Sequence, residues 1–178
     1  MNGLMDKCLN RRMGTITASA VLALLCGCTP SESKPETGAK PVVVVSVLPQ
    51  AYFVERVGGD LVEIDVMIPP GASPATYEPT ISQLQSIAKA SLYLKVGHPN
   101  FPFERAWLNK LIAENASMKV IDGAAGLEWQ ECDPHIWLAP SQVRGVATNL
   151  FDALVELLPG DRAQLQSNLG RFVADIDA

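Results

Sequence analysis

Histidine is almost missing from this chain: only His98 and His135 occur in 178 residues. Any chemistry that needs imidazole must run through one or both of those positions. Positive charge is short as well. With 14 Lys and Arg against 19 Asp and Glu the net charge is −5, and no basic patch exists that would neutralise a phosphate backbone, which argues against a nucleic-acid partner. Aromatic residues make up 6% of the chain, and Trp107, Trp129 and Trp137 are too dispersed to form a stacking platform. No Gly-x-Ser-x-Gly elbow, Walker A loop or dinucleotide glycine pattern is present, so no enzyme class is supported. What the chain has in quantity is apolar residues, 48%, enough to build one ordinary core.

Cysteine is scarce, and its placement matters more than its number. Lys7, Arg11 and Arg12 form a positive n-region ahead of an apolar or small run from Met13 to Leu25, a stretch of signal-peptide length that is too short to span a bilayer. The run closes with Leu25-Cys26-Gly27-Cys28, which resembles a bacterial lipobox. Residues 1–27 then read as a lipoprotein signal peptide, Cys28 as the lipidated residue, and 28–40 as a flexible polar tether. Cleavage removes Lys7, Arg11, Arg12 and Asp6 and moves the net charge from −5 to −7. It also removes Cys8 and Cys26. With Cys28 acylated, Cys132 stands alone and no intramolecular disulfide is expected, although the compartment is oxidising.

From Pro41 onward strands and helices alternate. Val42-Val43-Val44-Val45-Ser46-Val47 is a β-branched run of the kind buried on both faces at the centre of a parallel sheet. A helix over Gln50 to Val57 stops at Gly58-Gly59, and Leu61 to Ile68 reads as a second strand. Pro69 to Pro74 is a loop. Ile81, Leu84, Ile87 and Ala88 recur at helical spacing, Leu92 to Val96 is a third strand, and Phe103, Trp107, Leu108, Leu111 and Ile112 mark a further helix. Met118 to Ile121 is the fourth strand, with Gly123-Ala124-Ala125-Gly126 as the turn after it. The helix from Pro140 to Leu158 carries a full apolar stripe. Asp161 opens a last helix with Leu165, Leu169, Phe172, Val173 and Ile176 on one face. No stop signal follows it and no later element can cover that stripe, so the expectation is a chain cut in mid-helix with an exposed, association-prone face. The fold class expected is α/β: a doubly wound four-stranded parallel sheet over 41–160, then the start of a long helix over 161–178. Such sheets bind ligands beyond the C-terminal ends of their strands, here the loops 69–80, 97–102 and 122–139.

Both histidines fall in those loops. His98 follows the third strand, and His135 lies in Asp133-Pro134-His135-Ile136-Trp137-Leu138. Together with Gly71-Ala72-Ser73-Pro74-Ala75-Thr76-Tyr77-Glu78-Pro79-Thr80 and the Val57 to Asp60 segment, that stretch resembles the cluster A-I metal-binding lipoproteins, the ZnuA/TroA-like receptors of zinc and manganese ABC importers. The resemblance covers about residues 41 to 178. It implies a metal held between two lobes joined by a long helix, with 41–160 as the N-terminal lobe, 161–178 as the start of the interlobe helix, and the second lobe absent. It implies His135 as a metal ligand, Zn2+ or alternatively Mn2+ as the transported ion, an ABC-importer membrane permease as partner, and a membrane-anchored place in the bacterial cell envelope. The match is incomplete. The family motif reads Ser-Pro-His-x-Tyr-Glu, and its histidine position is Ala75 here, whose methyl group ligates nothing.

The residues around these motifs leave alternatives open. His98 is either a substitute for the histidine lost at Ala75 or an exposed bystander. Asp133 reads as a loop-orienting acceptor, and Glu78, Glu104 and Glu131 as surface or helix-capping carboxylates. Cys132 is either a packed thiol or a soft zinc ligand. Residues 122 to 132 contain no histidine, so a metal-scavenging loop is not expected. Beside the metal-capturing receptor stand two other readings, a surface adhesion or interaction lipoprotein and a truncated product without metal binding. The anchor is directly testable: Cys28→Ser should move the expressed protein from the membrane fraction to the soluble one, and an unchanged fractionation would remove the lipobox reading.

Overall fold

The computed structural model describes residues 38–128 and 133–178. The signal peptide, Cys28, Glu131 and Cys132 lie outside the described residues. The long β-branched run forms β1 (Val42–Val47), followed by α1 (Leu48–Gly58), β2 (Glu63–Ile68), α2 (Ile81–Lys89), β3 (Ala90–Lys95), α3 (Pro102–Glu114), β4 (Lys119–Asp122), α4 (Pro140–Leu157) and α5 (Arg162–Ile176). All strand pairs are parallel and the sheet order is β2-β1-β3-β4. β1 is thus internal, as its composition requires. Val43 and Val45 point into one core with Phe53, Leu92, Leu94, Leu150 and Leu154. Val44 points into the other with Met67, Tyr93, Phe101, Phe103 and Leu111. Strands buried on both faces leave only their ends open to solvent and ligand.

Local signals account for the element boundaries. Gly59 takes φ 58° at the end of α1, a left-handed conformation that glycine adopts without steric penalty. A short 3-10 turn over Gly59–Leu61 follows, so β2 opens two residues later than its apolar pattern suggests. Thr80 caps α2, its hydroxyl accepting from Gln83 N at 3.3 Å. The Gln83 side-chain amide in turn donates to the carbonyls of Val66 and Met67 at 3.1 and 2.6 Å. That contact ties the loop after β2 back onto the strand it leaves. Pro102 and Pro140 each sit in the first turn of their helices, where a missing N–H costs nothing.

The expectation of an uncovered final helix is overturned. Through the turn at Pro159–Asp161, α5 doubles back and lays its stripe against α1 and α4. Leu165 is fully buried and Phe172 is 2% exposed. The Phe172 ring lies 5.8 Å from Phe53 and 5.7 Å from Tyr52. Arg56 bonds Asp175, and Arg144 bonds Asp177, so both neighbouring helices are also joined to α5 by charge. The covering surfaces come from α1 and α4, which precede the helix in the chain. Leu165→Ala should therefore cost about 2 to 5 kcal/mol of unfolding free energy through the cavity it opens, measured by urea denaturation; a cost under about 0.5 kcal/mol, typical of an exposed position, would contradict this packing.

Candidate functional site

Helix α1 carries the chain from β1 to β2 over one face of the sheet, and α2 carries it from β2 back past β1 to β3 over the other. The reversal puts the crevice of a doubly wound sheet beyond the ends of β1 and β3. The last register pairs there are Val45 with Leu94, between β1 and β3, and Lys95 with Asp122, between β3 and β4. Past those pairs the strand-end amides need other acceptors. At β1, the buried side-chain oxygen of Gln50 accepts from Ser46 N at 3.1 Å and Val47 N at 3.2 Å. At β3, Glu104 accepts from Val96 N at 2.5 Å and Gly97 N at 3.1 Å. Both acceptors are the third residue of the helix that follows their strand.

Glu104 also accepts from Ser46 Oγ at 2.5 Å, and Ser46 Oγ lies 2.9 Å from the Tyr93 hydroxyl. The donor order runs from Tyr93 through Ser46 to the carboxylate. Burial pushes the Glu104 carboxyl above the usual range, and the Ser46, Gly97 and Val96 donors pull it back. The same burial raises the Tyr93 phenol. Glu104 is 8% exposed, which corrects its assignment to the surface or to a cap: it accepts from the preceding strand, not from its own helix. Ser46, a hydroxyl inside a strand with both faces buried, is the sequence signal for a buried polar partner.

His135 is held by its own loop. Asp133 Oδ1 accepts from His135 N at 3.0 Å and lies 2.6 Å from His135 Nδ1. Both contacts draw the Asp133 carboxyl below its ordinary range, so the carboxylate is the acceptor and Nδ1 carries the proton. In the neutral ring the remaining nitrogen, Nε2, is the one with a lone pair. The Trp137 ring stands edge-on to the imidazole, 5.1 Å between centroids at 75°. The His135 side chain is 54% exposed. A histidine whose Nδ1 is fixed by a carboxylate is the arrangement that orients Nε2 toward a metal.

His98 differs. It is 3% exposed, so it is not an exposed bystander. Its Nδ1 accepts from Asn100 N at 3.1 Å, and its carbonyl accepts from Phe101 N at 3.0 Å. Ala75 is exposed in a turn over Ser73–Tyr77, where Tyr77 N donates to the Ser73 carbonyl at 2.9 Å. Glu78 is exposed, as expected. Among the described residues no three His, Cys, Asp or Glu side chains are placed to hold a metal ion together. An open cleft of about 240 Å³ near Trp137 is lined by Tyr52, Phe53, Leu138, Phe172 and Ile176. Its one carboxylate, Asp175, is taken by Arg56, so it is not a cation site.

The profile of the family described as zinc-uptake complex component A, periplasmic (ZnuA), matches residues 43–178. The chain belongs to the ZnuA family. A crystal structure of ZnuA superposes with a TM-score of 0.73 at 42% identity, covering 78% of this chain and 55% of the other. The high-affinity zinc uptake protein ZnuA of Yersinia pestis is 26% identical over 169 residues, 75% of this chain and 52% of its own length. The manganese ABC transporter substrate-binding lipoprotein of Streptococcus gordonii is 27% identical over 170 residues, 86% of this chain and 54% of its own. The chain spans about half the length of these curated relatives. The four-stranded parallel sheet with flanking helices matches the ZnuA fold. These relatives are named as binding proteins of metal transporters, not as enzymes.

Within this ZnuA-family fold the approach to His98 depends on Gly97. It has φ 83°, and a Cβ there would lie 1.7 Å from Asp122 Oδ1. Asp122 is itself engaged, pairing with Lys95 Nζ at 3.0 Å and accepting from Ala124 N at 2.9 Å. Gly97→Ala should destabilise the chain by about 1 to 3 kcal/mol, lowering Tm by about 2 to 12 °C for a chain of this size. An unchanged calorimetric melt would contradict the turn geometry.

Proposed function

We propose that this chain is the metal-receiving lobe of an extracytoplasmic solute-binding lipoprotein. It captures a divalent transition metal for an ABC-importer permease, zinc first and manganese second, and the membrane holds it through lipid on Cys28. In this reading 1–27 is the signal peptide, 28–40 the tether, 41–160 the N-terminal lobe and 161–178 the start of an interlobe helix. The observation that carries the proposal is the Asp133–His135 pair. Its Nδ1 is fixed at 2.6 Å from a carboxylate, which leaves Nε2 as a neutral nitrogen donor of the type zinc takes at about 2.0 to 2.1 Å. Names of relatives support the cargo: zinc for the proteins of Yersinia pestis and of Streptococcus pneumoniae, manganese for that of Streptococcus gordonii.

His98 is the second donor in this proposal. The lone pair that accepts from Asn100 N is the one a metal would take, so coordination through Nδ1 exchanges one backbone hydrogen bond, worth about 1 kcal/mol net, for a metal bond. With Ala75 unable to contribute, these two imidazoles supply half of a tetrahedral shell, and water or residues outside this lobe complete it. Affinity should accordingly be modest and should fall in acid, where protons compete for imidazole.

Calorimetric zinc titration tests the proposal. His135→Ala should abolish binding, and Asp133→Ala should weaken it by about 10- to 100-fold because the imidazole loses its orienting partner. His98→Ala should weaken it without abolishing it. Wild-type binding in His135→Ala would remove the receptor mechanism from this lobe.

A further inference from the structure

The turn after β3 is built around a buried carboxylate that the proposed metal chemistry does not itself use. Glu104 joins three elements: β1 through Ser46, the end of β3 through Val96 and Gly97, and its own helix α3. Gln50 does the equivalent work at the end of β1 with a neutral amide, because only two donors converge on it. At β3 three donors converge, and no donor-bearing side chain satisfies all of them. A carboxylate does, at the cost of burying its charge. Gly97 is then bent at φ 83° with no room for a side chain, and the next residue is His98. Nothing in the ladder holds this segment, since β3 pairing ends at Lys95.

We propose that Glu104 is a positioning residue for metal capture: by accepting from Val96 N, Gly97 N and Ser46 Oγ it fixes the turn that sets the His98 imidazole in the crevice. The proposal rests on His98 acting as a ligand. Glu104 does not touch the metal. Its effect travels through the backbone of residues 96 and 97, so it should be expressed wholly through His98 and leave His135 unaffected. Replacing the carboxylate by an amide keeps the shape but turns one oxygen into a donor. An –NH2 group facing one of three donors cannot be satisfied by rotation, since the flipped amide meets another donor.

A double-mutant cycle on the full 178-residue chain tests this with zinc alone as the probe. Glu104→Gln should lower zinc affinity about tenfold, and in the His98→Ala background it should lower it no further. The 15N resonances of the His98 imidazole should shift in Glu104→Gln while those of His135 stay in place. Ser46→Ala removes a single donor and should produce the same pattern in smaller measure, which keeps the test intact if Glu104→Gln fails to fold. Two results would overturn the proposal: zinc affinity unchanged in Glu104→Gln and Ser46→Ala while His98→Ala weakens it, or equal losses from Glu104→Gln with and without His98. Unchanged zinc affinity in His98→Ala would instead overturn the ligand reading on which the proposal stands.

Discussion

A parallel sheet buried on both faces has to satisfy the amides that run past its last register pair, and the candidate site is organised by how this chain does so. On the crevice side of β1 the ladder ends at Val45, and β3 pairing ends at Lys95; the two strands that flank the crevice are closed by side chains from the first turn of the following helix. Gln50 closes β1 and Glu104 closes β3. Because these acceptors are themselves buried, the strand ends are fixed in position before any ligand arrives. A crevice with a rigid floor can present a side chain in one orientation, and pre-organised donors lose less entropy on binding.

In the proposed centre the two imidazoles are held in different ways. His135 sits on a short exposed loop and is oriented from within, by Asp133 two residues earlier and by Trp137 two residues later. His98 is buried and directly follows the Gly97 turn whose amide Glu104 accepts. A loop-borne ligand can move with an arriving ion, whereas a floor-borne one cannot. The proposed centre thus combines one adaptable donor with one fixed donor, which suits a protein that must both capture a metal and release it.

The architecture was legible because its determinants are local in sequence. The Val42 to Val47 run, the helical stripes and the glycine and proline stops reproduce the observed element order to within two residues at most boundaries. The site was legible where it is local: Asp133 bonding His135 follows from their two-residue spacing. What escaped the sequence is long-range. Ser46 and Glu104 are 58 positions apart, and only the fold shows that a glutamate in a first helical turn serves a strand rather than the surface. The burial of the α5 stripe escaped for the same reason, since its cover on α1 is more than 100 positions upstream, as the Asn168 amide donating to the Val57 carbonyl at 3.0 Å illustrates. Ala75 shows the reverse case: the methyl group where the resembled motif carries histidine was plain in the sequence, and the structure adds only that it lies in an exposed turn.

The central claim is that zinc is received by imidazole, with His135 and His98 as the donors. X-ray absorption at the zinc edge on the zinc-loaded chain measures this directly. The account predicts two imidazole nitrogens at about 2.0 to 2.1 Å, with the outer-shell scattering of intact rings and the remaining positions filled by oxygen or nitrogen. A spectrum without an imidazole shell would contradict it; a sulfur scatterer at about 2.3 Å in place of one nitrogen would contradict the pairing of the two histidines.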